Sequence, residues 1–402
     1  MYNSELLKKI YQARAKSSCF FNNVLLRKDI GWLYTSTHDY EKYPSAILYG
    51  TWSGILGINL IKEITEWKDE QKFWALQKLN QHRRADGAFL PIGLEKTPTS
   101  KSLEYLKLHC TNYSLGAALE IDPQYDFESK YMNRFLDGDY LGYWLDARSL
   151  QRPWEEGNNI VNVSSYLALM NDAGNLVAQA RLAQMMDWHR KKQNPKTGGF
   201  DSFESPSYNQ RLETLAGAVH NYHLHLYVGE KFGCEDKIIP WVEKFMYQGN
   251  LSACLSIDFV ELAVRTILSA DNPQPLVNAL IYHAEELLAT QRSDGGWAEN
   301  GDQSPTIAAG FVDKQVSSCS YATWFKLASL GMISICLLGD APKNWSFRKT
   351  LGMGYSPKDF PDLSTSVMIN PTPITQKIQI SYGMAGRIIK SSLIRLGTRI
   401  IK

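Results

Sequence analysis

The chain has 402 residues, of which 44% are hydrophobic and 21% charged, with a formal net charge of +2. That hydrophobic share excludes a disordered chain, and the near-balance of charge excludes the broad positive field of a nucleic-acid binder. Length alone leaves room for two or three domains. The opening MYNSELLKKIYQARAKSSCF holds no continuous apolar run of the kind a cleaved signal needs. The six cysteines (Cys19, Cys110, Cys234, Cys254, Cys319, Cys336) are scattered, without CxxC or zinc-type spacing, and read as free thiols.

Along the chain, apolar residues recur at three- and four-residue spacings in six segments that begin near residues 44, 111, 158, 211, 251 and 317. The first is YPSAILYGTWSGILGINLIKEI, and the last contains LASLGMISICLL, which reads as too short to span a bilayer. Amphipathic runs such as DEQKFWALQKLNQHR and PLVNALIYHAEELLATQ lie between them. Strand-like alternation is scarce. The pattern predicts an all-α chain in which a polar helix, a turn and an apolar helix repeat about six times. Such a period marks stacked helical hairpins, with apolar helices inside and amphipathic helices outside.

Three of the turns echo one another: QHRRADGAF from 81, KKQNPKTGGF from 191 and QRSDGGWAENG from 291. Gln81, Gln193 and Gln291 are expected to close outer helices and to bond exposed backbone on an adjacent helix. The glycines reverse the chain, and Phe89, Phe200 and Trp297 are expected to plug the gaps between hairpins. The bland alternative is an ordinary glycine–aromatic helix stop.

A Gln followed by Asp-Gly-Gly-Trp resembles the repeat of the terpene cyclase and protein prenyltransferase superfamily. The likeness runs over roughly residues 40 to 340, with a degenerate copy in RFLDGDYLGYW. It implies an (α/α)6 toroid whose inner helices surround a central funnel. The chain lacks the Asp-x-Asp-Asp, Asp-Asp-x-x-Asp and Asp-x-Cys…His motifs of those enzyme groups.

In such a ring, polar residues on apolar helices are the informative ones, because burying them costs energy unless they are paired or used. Asp258, Glu261 and Arg265 share one stripe, read either as the charged wall of a site or as a buried ion-pair network. Asn158, Asn162 and Ser165 form a second stripe, suited to substrate hydroxyls or to helix capping. His109, Asn112, Tyr113 and Gly116 form a third, and Glu213, Gly217 and His220 a fourth. A histidine near a carboxylate is the usual apparatus of acid–base chemistry, and a satisfied core histidine is the plain alternative.

The expected catalytic groups are therefore Asp258, Glu261, Glu213, His220 and His109, with Asp258 and Glu261 as the acid–base pair. Asn112, Tyr113, Asn158, Asn162, Arg265 and Trp324 are expected to bind substrate. All are expected at the end of the ring where the inner helices start. Asp294 and Glu299 flank Trp297 and either line that mouth or serve the turn. HNYHLHLY lacks a carboxylate-rich setting, so no metal and no cofactor is predicted.

Residues 341–380, rich in Pro, Gly and Ser, read as an extended wrap that buries Trp345, Phe347 and Tyr355. Residues 381–402 form a basic amphipathic tail with Arg387, Lys390, Arg395, Arg399 and Lys402. It suits an anionic membrane surface, a docking partner or plain solvent. The expectation is a cytoplasmic biosynthetic enzyme of bacterial type, with the inner membrane surface as its outer limit. It would take a small-molecule, isoprenoid or lipid-linked substrate. A glycan-processing ring enzyme is the alternative, with Glu155 and Glu156 as further carboxylates, and a non-catalytic scaffold is a third.

Overall fold

The computed structural model describes residues 2–96, 99–247, 249, 251–300, 306–311, 315–352 and 360–366. Thirteen α-helices occur among them, and the protein is mostly helical. In chain order these are α1 (Tyr2–Cys19), α2 (Ala46–Leu60), α3 (Asp69–Asn80), α4 (Leu103–Ile121), α5 (Lys130–Asn133), α6 (Gly138–Asp146) and α7 (Pro153–Asp172). Then follow α8 (Leu176–Lys192), α9 (Tyr208–Val228), α10 (Glu235–Met246), α11 (Ala253–Thr266), α12 (Gln274–Thr290) and α13 (Ser320–Leu338). Two short antiparallel pairs complete the list: β1 (Leu26–Arg27) with β2 (Gly31–Trp32), and β3 (Thr306–Ile307) with β4 (Gly310–Phe311).

The helix starts are written in the sequence. Ser102, Ser207 and Ser252 accept the first free amides of α4, α9 and α11, Asn175 does so for α8, and Pro153 opens α7. Burial follows the composition. α2 and α13 are enclosed on every side, with Ile47 and Tyr321 as their only residues that are not fully buried. By contrast α3 buries only Ala75 and Leu79.

Helices α2, α4, α7, α9, α11 and α13 each pack against the next, and α13 returns to α2. Outer helices seat between them: α3 on α2 and α4, α8 on α7 and α9, α10 on α9 and α11, α12 on α11 and α13, and α1 on α13. The closest approach is between α7 and α9. A Cβ on Gly157 would meet the carbonyl of Gly217 at 2.5 Å, and a Cβ on Gly217 would meet the carbonyl of Pro153 at 2.2 Å. The stripe glycine Gly217 is therefore a packing residue.

The turn aromatics Phe89, Phe200 and Trp297 are buried. Trp297 donates its indole N–H to Leu287 O at 2.7 Å and its backbone N–H to Thr323 Oγ1 at 3.0 Å. Gln291 donates to the carbonyls of Ala13 and Gly295, each at 2.9 Å, so the last repeated turn is tied to the first outer helix. Gln193 reaches the carbonyls of Phe232 and Gly233 at 2.9 and 3.1 Å, just before α10.

Gln81 departs from the expectation. It caps α3 and is exposed, and Arg83 takes the tying role by donating to Glu128 O at 2.7 Å. The backbone register explains why. Arg84, Asn194 and Arg292 each pair with the residue before or at the turn aromatic, which aligns Arg83 with Gln193 and Gln291.

Residues 340–352 close the end where the inner helices finish. Arg348, buried, donates to Asn112 Oδ1 at 2.9 Å and to Thr350 Oγ1 at 2.7 Å, and lies 4.8 Å from the Tyr113 ring centroid. Glu120 accepts from the Lys349 backbone at 2.6 Å, and Ser165 donates to Leu351 O at 3.3 Å. Trp345 donates to Asp340 at 2.7 Å, and it and Phe347 are buried. The expected wrap is thus a plug. Tyr355 and the tail 381–402, with its membrane expectation, lie outside the described residues. Ser320–Leu338 is long and apolar enough to cross a bilayer, contrary to the short-run expectation, and its near-complete burial accounts for that apolarity.

Candidate functional site

The opposite end, where the inner helices begin, stays open. A cavity of about 420 Å³ lies there. Each inner helix sends it at least one residue: Tyr49 from α2, Tyr105 and His109 from α4, Trp154, Glu155 and Asn158 from α7, Glu213 and His220 from α9, Cys254 from α11 and Tyr321 from α13. The turn after α12 adds Glu299, and Tyr34 and the β3 hairpin cover one side. Thr99 donates to Ala308 O at 3.1 Å across that side.

Beneath the lining lies an aromatic layer. Trp52 stacks on Tyr113 with ring centroids 4.5 Å apart and meets Tyr321 and Trp324 edge-on at 5.8 and 6.1 Å. His109 stacks on Tyr105 at 5.6 Å. The rim is charged: Glu155 accepts from Lys101 at 2.6 Å and from Arg152 at 3.1 Å. Lys101 also lies 5.1 Å from the Tyr105 ring centroid.

Burial sets the protonation states. His109 and His220 are each held down to about 3, first by burial and then by neighbouring groups, which are Arg348 and Lys101 for His109 and His223 for His220. Both are neutral near pH 7, and each leaves Nδ1 without a hydrogen-bond partner. Glu299 is pushed up to about 7 by burial, against the pull of Lys326. Its backbone carbonyl accepts from the Ala253 amide at 3.0 Å, while Oε2 has no hydrogen-bond partner. Glu299 is therefore a carboxyl on the cavity wall that can give or take a proton near neutrality.

The sequence candidates divide. His109, Asn158, Glu213 and His220 line the cavity, Glu213 at its exposed edge. Tyr113 and Trp324 lie in the aromatic layer below and do not line it. Asn112 and Asn162 do not line it either: Asn112 donates to Asn162 at 2.7 Å and accepts from Arg348.

The expected acid–base pair lies outside the cavity lining. Glu261 sits 3.1 Å from His223 and 3.5 Å from Arg265, all three buried, so the ion-pair alternative describes Glu261 and Arg265. Asp258 is fully buried, without a hydrogen-bond partner, and burial beside Glu261 drives its carboxyl far up. It lies one helical turn below Cys254 and does not reach the cavity.

Of the turn pair, Glu299 lines the mouth, while Asp294 accepts from Gly296 N and Ser318 Oγ at 3.0 and 2.8 Å and serves the turn. Glu156 holds Arg148 at 3.0 Å and is structural. Among the described residues, no group of three or more His, Cys, Asp or Glu is placed to hold a metal.

Lys101, Arg152, Trp154, Tyr34, Tyr49, Tyr105, Cys254 and Tyr321 line the cavity without having stood out in the sequence. A shared signal was available. Most of them fall in the first turn of an apolar helix or just before it. No protein-family model, no curated protein and no solved structure matches the chain.

Proposed function

We propose that the chain is an enzyme built on an α/α toroid, and that its open end binds a hydroxyl-rich, glycan-type substrate for general acid–base chemistry. The closed neighbour order of the six inner helices supports the toroid, as does the turn that ties α12 to α1. So does the resemblance of those turns to the terpene cyclase and prenyltransferase repeat.

The observation that carries the chemistry is Glu299, a cavity-lining carboxyl with its proton affinity near neutrality. Glu299 exchanges the proton, and neutral His220 and His109 bond substrate hydroxyls. Glu213 supplies a second carboxyl at the edge, and Tyr105 and Trp154 offer ring faces for stacking. The rim pairs at Glu155 place charge where an isoprenoid would need a dry wall.

The rings that line the cavity, Tyr49, Tyr105, Trp154 and Tyr321, favour a second reading, an isoprenoid or lipid-linked substrate, since ring faces stabilise cations. The test is incubation with a panel of neutral and acidic oligosaccharides and with farnesyl diphosphate, followed by chromatography of the products. The glycan reading expects oligosaccharide turnover that Glu299→Gln abolishes. Turnover of farnesyl diphosphate alone would overturn it, as would full activity of Glu299→Gln.

A further inference from the structure

A second concavity of about 350 Å³ lies on the outer wall, between the β1–β2 hairpin and the start of α3. It shares no lining residue with the cavity above. Glu70, Gln71 and Trp74 reach it from neighbouring positions on α3, Glu70 and Trp74 one helical turn apart, and Trp67 reaches it from the extended link before that helix. Trp32 forms the third aromatic wall, stacked on Trp67 at 5.9 Å and tilted against Trp74 at 5.2 Å.

The walls are not merely apolar. Trp32 is 1% exposed, yet its indole N–H has no hydrogen-bond partner. Asn22 gives its amide N–H to Glu63 at 2.7 Å, which leaves its carbonyl as an acceptor. Gln71 uses its carbonyl to cap α3 at 3.0 Å, which leaves its NH2 as a donor. Trp74 is held in place by its bond to Lys28 O at 3.0 Å. Fixed indole faces ringed by unspent amide and carboxylate groups suit a ring with C–H faces and hydroxyls on its edge.

We propose that this tryptophan well is a saccharide-binding site, separate from the cavity and independent of the chemistry assigned there. A sugar ring stacks on Trp67 and Trp74, and its hydroxyls bond Asn22, Glu70 and Gln71. The volume is that of a small-molecule site, whereas a proline-rich peptide needs an extended aromatic groove with few side-chain hydrogen bonds.

The experiment uses the full chain, with cellohexaose and chitohexaose as probes and a polyproline peptide as the control. Titration is followed by calorimetry and by the indole N–H resonances of Trp32 and Trp67. At least one sugar is expected to shift those resonances. Trp67→Ala and Trp74→Ala are each expected to weaken it by about tenfold or more, and Gln71→Ala by about threefold. Trp67→Phe keeps a ring in the wall and guards against loss of fold, and it is expected to retain part of the binding. Turnover at the Glu299 cavity is expected to be unchanged in all four variants, so failure of one site is distinct from failure of the other. The proposal is overturned if neither sugar moves the two resonances, if the peptide moves them and the sugars do not, or if Trp67→Phe and Gln71→Ala both bind as the parent does.

Discussion

Glu299→Gln should make the protein more stable at alkaline pH and leave it nearly unchanged in acid. The carboxyl moves from its ordinary 4.5 to about 7 on folding. Between those values the folded chain holds a proton that the unfolded chain has already lost. Folding therefore becomes costlier as pH rises from about 4.5, and the cost levels off above 7. Full conversion gives a ceiling of about 3 kcal/mol. Glu299 is only partly buried as a residue and lines an open cavity, so screening lowers the working expectation to about 1–2 kcal/mol. Gln keeps the shape and removes the titration. The assay is urea unfolding of parent and variant at about pH 4 and pH 8, since the difference between the two proteins cancels every other titrating group. If the variant gains nothing between the two pH values, Glu299 is not a desolvated acid, and the acid–base proposal loses its foundation.

Trp297→Ala should cost about 3–5 kcal/mol in urea unfolding, through cavity formation and the lost indole bond, and a loss under about 1 kcal/mol would show that the turn aromatics are not plugs. Gln291→Ala should cost about 2–3 kcal/mol, because it removes several bonds near 1 kcal/mol each, whereas exposed Gln81→Ala should stay within about 0.5 kcal/mol; equal effects in a melting comparison would refute the register drawn here. Asp258→Asn should change stability by under about 1 kcal/mol, since burial already favours the uncharged form of the carboxyl, while Glu261→Gln should cost about 3 kcal/mol by removing the charge that faces Arg265 and His223. Calorimetric melting of both variants checks this, and a reversed order would mean that Asp258 is the ionised member.

By itself the sequence determined the local order. Apolar spacing placed the six inner helices, Ser and Pro mark the starts of α4, α7, α9 and α11, and glycine–aromatic turns marked the reversals. These are near-neighbour effects, set by a few residues of chain. The sequence also placed His109, Asn158, Glu213 and His220 on helix faces that the structure brings to one cavity. Tertiary packing decided the rest.

The stripe at Asp258, Glu261 and Arg265 looks the same on a helical wheel whether it faces a funnel or a core, and only the contact of Glu261 with His223 on the neighbouring helix shows that it faces the core. Arg348 reaches Asn112 across 236 residues of chain, so no periodicity could show that the Asn112 carbonyl was already engaged. Glu299 stands in an ordinary polar turn, and its proton affinity arises only where α11, α13 and Lys326 surround it. Burial and charge depend on which segments meet in space. A helix fixes the direction of its side chains, and its neighbours fix what those side chains become.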